Sequence, residues 1–583
     1  MTANPSQLST VTPRVKAAID AAAALDQPAF ISVLSEEQVS GVLAARGSRA
    51  IGDSRLAGLM FAVKDNIDVL GVPTTAACPI VARPADRSAA AVERLVAAGA
   101  VPIAKTNMDQ FATGLVGTRT PYGACHSIAS VAHISGGSSS GSAVAVALGV
   151  VDFALGTDTA GSGRIPASFN GLVGMKPSRG LISNRGLIPA SPSLDCITTF
   201  TRTVELARAA FETVIAPDAA DPYSRTLPLT PPSGVARAMR VIGVPMGEID
   251  LDEPHRVAWQ QALARAASIG LLVPIDVEPF LAAGRLLYAG PMIAERLAAF
   301  GGLLEPDGPH LDPTVRELVL GARATTGADV YQALQTLAGL AALARNSFVG
   351  IDALMLPGAP GHPTLREVAR EPVTVNSRLG TYTNMVNLLD LCAIAVPAGH
   401  RPDGLPFGVQ LIGPTFADRP LLDLAARWCG EPVAEPSLAA NRTMLAIAGA
   451  HLSGQPLNAD LVDLGGRLHS RARTASGYRM FTVDGPVPRP GLVRTADGPP
   501  RGLELEIWDL SYDSLGLLLT TIAPPLGLGK IEIDDGRMIT GFVANGRMSP
   551  TADITSFGSW RAYLASSQPA GKSHSVCGTS DGR

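Results

Sequence analysis

Two serine-bearing segments and one lysine hold residue types able to attack a carbonyl carbon. "GTDTAGSGR", residues 156–164, sets Ser162 between two glycines. Its small side chains let the N–H groups of Thr159, Ala160, Gly161 and Ser162 converge on one oxygen, as an oxyanion hole requires; a tight Gly/Ser turn would read the same way. "GSSSG", residues 137–141, matches the elbow pattern G-x-S-x-G with Ser139 at its centre. The "SVAHISGG" before it is polar and glycine-rich rather than a hydrophobic strand, so a loop capping a helix explains it as well.

A serine nucleophile needs a group to take its proton. None of the nine histidines is tied by pattern to a serine, and His126 and His133, just before the serine loop, read as loop or surface residues. Lys64, at the end of the apolar "LMFAVKDN", can serve if burial brings it from about 10.4 toward neutrality, a shift of roughly three units or about 4 kcal/mol. Without burial, a lysine after a strand is an ordinary surface residue.

Taken together, "VKDN", "SGGSSSGSAVAVALG" and "GTDTAGSGRIPASFNGLVGMKP" resemble the amidase signature family over about residues 15–430. That resemblance implies Ser162 as nucleophile, Ser138 as a bridging serine in a cis peptide, and Lys64 as the final base. A neutral lysine reached through a second hydroxyl would then replace the histidine of a Ser-His-Asp arrangement.

Within that family, "DQFATGLVGTRTPYGACHS", "SRLGTYTNMVNLLDLCAIAVPAG" and the stretch from "GAHLSGQPLN" to "DITSFGSWRAYLAS" resemble the allophanate hydrolases. The resemblance implies a small anionic substrate, allophanate, hydrolysed to ammonia and N-carboxycarbamate. Its carboxylate would demand a guanidinium and a hydroxyl. Tyr288 and Arg296 in "LLYAGPMIAERL" match the family's substrate-binding pair, and their eight-residue spacing suits two turns of one helix face. His451 in "GAHLSG" matches a histidine held to assist decarboxylation. A homodimer through the amidase domain is also implied. The alternatives are another small-amide amidase of the family or the amidase-like component of an amidotransferase.

The elements that must position these groups follow from periodicity. From about residue 56, strand-like "LAGLMFAVKD", helical "SAAAVERLVAAG" and strand-like "AVPIAKTN" alternate, which predicts an α/β domain with a mixed sheet covered by helices, the amidase signature fold. The serine loop opens a short helix, "SAVAVALG", with serines suited to N-capping, and "VVDFALG" follows as a strand. A helical, proline-punctuated region spans about 250–350. The expected domains are 1–430, a linker over 431–443, a smaller α+β domain over 444–567 resembling γ-glutamylcyclotransferase, and a frayed tail over 568–583.

Bulk properties exclude other classes. A net charge of −4 without an arginine or lysine stripe argues against nucleic-acid binding. Six scattered cysteines without a CxxC pair read as reduced thiols of a cytoplasmic protein. Arg14, Lys16 and Asp20 interrupt any secretory core, and the longest apolar run contains Asp152, so neither export nor a membrane span is expected. With no glycine-rich nucleotide loop and no metal-ligand spacing, no cofactor is expected.

Overall fold

Alternation of buried strands and helices from Phe30 to Gly413 builds one eleven-stranded mixed sheet. Across it the strands run Phe30–Val33, Val101–Thr106, Met60–Lys64, Phe153–Asp158, Cys196–Thr201, Val173–Lys176, Cys392–His400, Pro406–Gly413, Ala353–Pro357, Arg240–Pro245 and Gly270–Ile275. The computed structural model describes residues 12–45, 54–228, 240–288, 290–305, 308, 310–433, 442–544 and 552–567. The tail from 568 and residues 434–441 of the expected linker lie outside them.

Two features of this sheet bear on chemistry. Met60–Lys64 lies parallel to both Val101–Thr106 and Phe153–Asp158, with Val63 opposite Leu155, so Lys64 ends its strand beside Thr157. Every residue of Met60–Lys64 is buried, and Phe61 stacks on Phe153 with ring centroids 5.2 Å apart, so the strand carries its terminal ammonium into the core. The helix Ser140–Ala147, buried on all sides, packs over these strands.

The serine expected to cap that helix does not do so. Ser139 occupies the N-cap position without a side-chain cap bond. Its hydroxyl instead donates to the Thr157 carbonyl at 3.1 Å and accepts the Thr157 N–H at 3.3 Å, because the neighbouring strand offers buried backbone groups that need partners.

The proline-punctuated region forms the helices Glu253–Ile269, Glu278–Tyr288, Ala294–Phe300, Pro313–Gly321 and Gly327–Ser347, with the edge strand Gly270–Ile275 among them. The helix Asp418–Cys429 ends on Gly430 at φ +71, a left-handed cap that favours glycine. Chain contacts divide the molecule into Met1–Val433 and Ala434–Arg583.

The second unit is β-rich. Its seven-stranded sheet contains Arg442–Ile447, Arg467–Arg473, Tyr478–Val483, Arg489–Arg494, Glu504–Ser511, Leu526–Glu532 and Met538–Ala544, packed on a core with Trp508 and Trp560. Among the described residues no helix is long and apolar enough to cross a membrane.

Candidate active site

Lys64 is fully buried, and its Nζ lies 2.7 Å from Ser138 Oγ and 2.7 Å from Thr157 Oγ1. Burial pulls its ammonium down to about 7, against the opposing charges of Asp109, Asp195 and Asp158. Near neutral pH a large fraction of this amine therefore has a free lone pair.

Ser138 is held from three sides. The peptide bond between Gly137 and Ser138 is cis. Asp109 N–H donates to the Ser138 carbonyl at 3.0 Å, and Gly137 N–H donates to the Leu115 carbonyl at 2.9 Å. The Asp109 carboxylate in turn accepts the N–H groups of Val116, Gly117 and Arg119 at 3.0–3.2 Å. Position 137 must be glycine, since a Cβ there would stand 2.1 Å from Asp109 Oδ2.

The loop carrying Ser162 is pinned by Asp158. Its carboxylate accepts Gly161 N–H at 2.8 Å, Gly163 N–H at 3.0 Å, and Arg164 Nε and Nη2, both at 2.9 Å. Desolvation alone would raise this carboxyl, but the charge and hydrogen bonds of Arg164 outweigh it and hold Asp158 below the ordinary carboxylate range. Arg164 also reaches Gln410 Oε1 at 2.8 Å and the Thr383 carbonyl at 3.1 Å. Gly161 sits at φ +139 against Thr383, where any side chain would collide.

Breaking this pair from one side strands a buried guanidinium. Asp158→Asn is expected to lower unfolding stability by about 3–5 kcal/mol, read as a fall in the denaturation midpoint at unchanged slope.

Of the four N–H groups expected to form an oxyanion hole, that of Gly161 is committed to Asp158, while those of Ala160 and Ser162 have no hydrogen-bond partner among the described residues. Ser162 is buried, and among those residues its hydroxyl bonds neither Ser138 nor any other group. Thr159 donates its hydroxyl to Asp195 Oδ1. Desolvation pushes Asp195 up to about 6, against its bond from Thr159 and the charge of Arg296.

Tyr288 and Arg296 are brought together, but not along one helix. Pro291 starts a 3-10 turn, Pro291–Ile293, so Tyr288 closes one helix and Arg296 belongs to the next. The fold-back sets Arg296 Nη2 3.2 Å from the Tyr288 hydroxyl and the guanidinium carbon 4.9 Å from the ring centroid. Arg296 Nη1 donates to Ser191 Oγ at 3.1 Å, and Nε, fully buried, has no partner. An unpartnered buried guanidinium N–H is an open position for an acceptor.

His451 lies in the second unit. It stacks on Phe542 at 5.3 Å, with Nε2 3.9 Å from Asp460 Oδ2, and burial lowers its pKa. Its cavity of about 20 Å³ has room for roughly one water molecule. A larger cavity of about 620 Å³ in the same unit is lined by Ser453, Arg471, Arg473, Glu506 and Arg561.

Sequence reasoning assigned no role to Thr157, Asp109, Asp158, Arg164 or Asp195. The signal available was the run of charged and polar residues inside otherwise apolar or small-residue segments, "NMDQFATG" and "GTDTAGSGR". Burial demands partners for such groups.

A large mixed sheet that presents a buried lysine against one serine, with a second serine on an adjoining pinned loop, defines an enzyme acting on C–N bonds of the serine amidase class. The amidase family model matches residues 14–422, and the chain belongs to that family. A second match, to the allophanate hydrolase C-terminal domain, covers residues 443–565.

The solved Kluyveromyces lactis allophanate hydrolase is similar at 37% identity and a TM-score of 0.76, covering 97% of this chain and 98% of that one. Urea amidolyase of Saccharomyces cerevisiae is 38% identical over 570 residues, 92% of this chain but 31% of that protein. The chain thus spans under a third of that curated relative. The amidase-like component of the glutamyl-tRNA(Gln) amidotransferase of Symbiobacterium thermophilum is 35% identical over 434 residues, 68% of this chain and 88% of that one.

Proposed function

We infer that the chain hydrolyses allophanate through a covalent acyl-enzyme. Ser162 attacks the terminal carbamoyl carbon while its proton passes through Ser138 to neutral Lys64. The developing oxyanion is received by the N–H groups of Thr159, Ala160 and Ser162, with Gly161 serving the loop's shape because its own N–H is bound to Asp158. Lys64, through Ser138, returns a proton to the departing nitrogen as ammonia leaves. Water then takes the place of the leaving group and releases N-carboxycarbamate.

A further water with N-carboxycarbamate gives a second ammonia and two carbon dioxide equivalents. The second unit is proposed to promote that decarboxylation, with His451 as its proton-handling group.

The observation that carries the substrate reading is the buried Arg296, with Nε unpartnered and Tyr288 beside it. A carboxylate-free amide gains nothing from a desolvated guanidinium, whereas a small anion satisfies it. The similarity to the Kluyveromyces lactis allophanate hydrolase along both units supports the same reading.

The experiment is ammonia release from fresh allophanate, with malonamide and glutamine as competing substrates. Fast release from allophanate alone is expected; turnover of glutamine or malonamide in its place would favour the amidotransferase or general-amidase alternative. Arg296→Met is expected to raise KM for allophanate at least about 100-fold, the loss of a charge-assisted bond of roughly 3 kcal/mol, with a far smaller effect on malonamide.

A further inference from the structure

Two arms of this site meet on one buried carboxylate that the hydrolytic steps leave unused. The strand Cys196–Thr201 pairs antiparallel with Phe153–Asp158, Cys196 opposite Asp158. Asp195, just before it, therefore comes level with Thr159 at the start of the nucleophile loop. Asp195 Oδ1 accepts the Thr159 hydroxyl at 2.5 Å. Oδ2 accepts the N–H groups of Ala190 at 2.8 Å and Ser191 at 3.1 Å. The Ser191 hydroxyl accepts Arg296 Nη1 at 3.1 Å, and Arg296 Nη2 reaches the Tyr288 hydroxyl.

Asp195, Thr159, Ser191 and Arg296 are all buried, so the links from oxyanion loop to guanidinium form one desolvated chain. Among the described residues no cation stands within ion-pair distance of Asp195; the nearest compensating charge it feels is Arg296, one residue removed through Ser191. Asp158, with Arg164 bonded directly, shows what a locally neutralised carboxylate looks like in the same loop. Only an ionised carboxylate can accept an O–H on one oxygen and two N–H groups on the other; an amide would aim its own donor at one set.

We propose that Asp195 is a positioning residue that ties carboxylate recognition at Arg296 to the placement of the oxyanion loop through Thr159. The substrate's carboxylate and its scissile carbonyl are thereby held against one frame, and small amides without the matching carboxylate lose that registration. The proposal rests on the reading of Ser162 as nucleophile and Arg296 as carboxylate anchor.

The test measures kcat and KM on allophanate and on malonamide for wild type, Asp195→Asn, Thr159→Val and Ser191→Ala. Cutting the loop link with Thr159→Val is expected to lower kcat about tenfold on both amides. Cutting the recognition link with Ser191→Ala is expected to raise KM for allophanate about tenfold more than KM for malonamide. Asp195→Asn is expected to do both.

Wild-type kcat in Thr159→Val, or an unchanged KM ratio in Ser191→Ala, would overturn the proposal. Those two variants decide it even if Asp195→Asn does not fold. Should wild type cleave malonamide and spare allophanate, the substrate reading falls instead. The kcat of Thr159→Val and Asp195→Asn on malonamide then still decides whether Asp195 places the loop: a tenfold loss upholds that role, wild-type values end it.

Discussion

Ser162→Ala is expected to lower ammonia release by about 10⁴-fold or more while leaving the unfolding transition where it is, because nucleophile and proton path act as a unit. The variant removes one hydroxyl that makes no hydrogen bond to a described residue, so little stability goes with it. The decisive comparison is Ser139→Ala. The Ser139 hydroxyl is engaged with both backbone groups of Thr157 and has no histidine beside it: His126 bonds the Ser127 carbonyl and His133 bonds Ser130. Ser139→Ala should retain the Lys64 to Ser138 contact and most of the activity. A dead Ser139→Ala with an active Ser162→Ala would hand the chemistry to the elbow serine and remove the lysine from it.

The second large effect belongs to Lys64, and its sign follows from burial. The base must be neutral to accept a proton, and desolvation holds Lys64 at about 7. Below that pH the amine is charged and kcat/KM should fall about tenfold per unit; above it the profile should level. Lys64→Arg places a permanent charge in the same cavity, since a guanidinium does not deprotonate in proteins, and should cost about 10³-fold or more at every pH. Lys64→Met keeps the volume without the amine and should abolish the acid limb near 7 in whatever activity remains. An acid limb that persists unchanged in Lys64→Met would show that another group governs it and that the lysine is not the base.

The chemistry of the site was legible because it needs particular residue types in particular local company. A serine between glycines, a serine-rich loop before an apolar helix and a lysine closing an apolar strand are all local features. The register that joins them is also partly local: two buried parallel strands, both hydrophobic runs, must carry Lys64 and Asp158 to the same edge. The glycine that ends the Asp418–Cys429 helix likewise marked where the first unit closes.

What was missed depended on partners far along the chain. Arg164 is bonded to Gln410 and Thr383, and Leu115 N–H to Asn376 Oδ1, contacts that span more than 200 residues. No periodicity encodes such pairings. Tyr288 and Arg296 show a different error: the spacing fitted one helix, but Pro291 breaks it, and the pair meets by folding back. Ser139 shows a third, in which a good capping residue was claimed by buried backbone groups with a stronger need for a partner.

By itself, then, the sequence determined which side chains could do chemistry, the α/β alternation that carries them and the small residues without which their backbones could not approach. Only the tertiary structure decided the protonation of Lys64, the commitment of Gly161 N–H to Asp158 and the chain of bonds from Thr159 through Asp195 to Arg296. The reason is that pKa and hydrogen-bond assignment depend on desolvation and on competing partners, both supplied by segments remote in sequence and fixed only when the core closes around them.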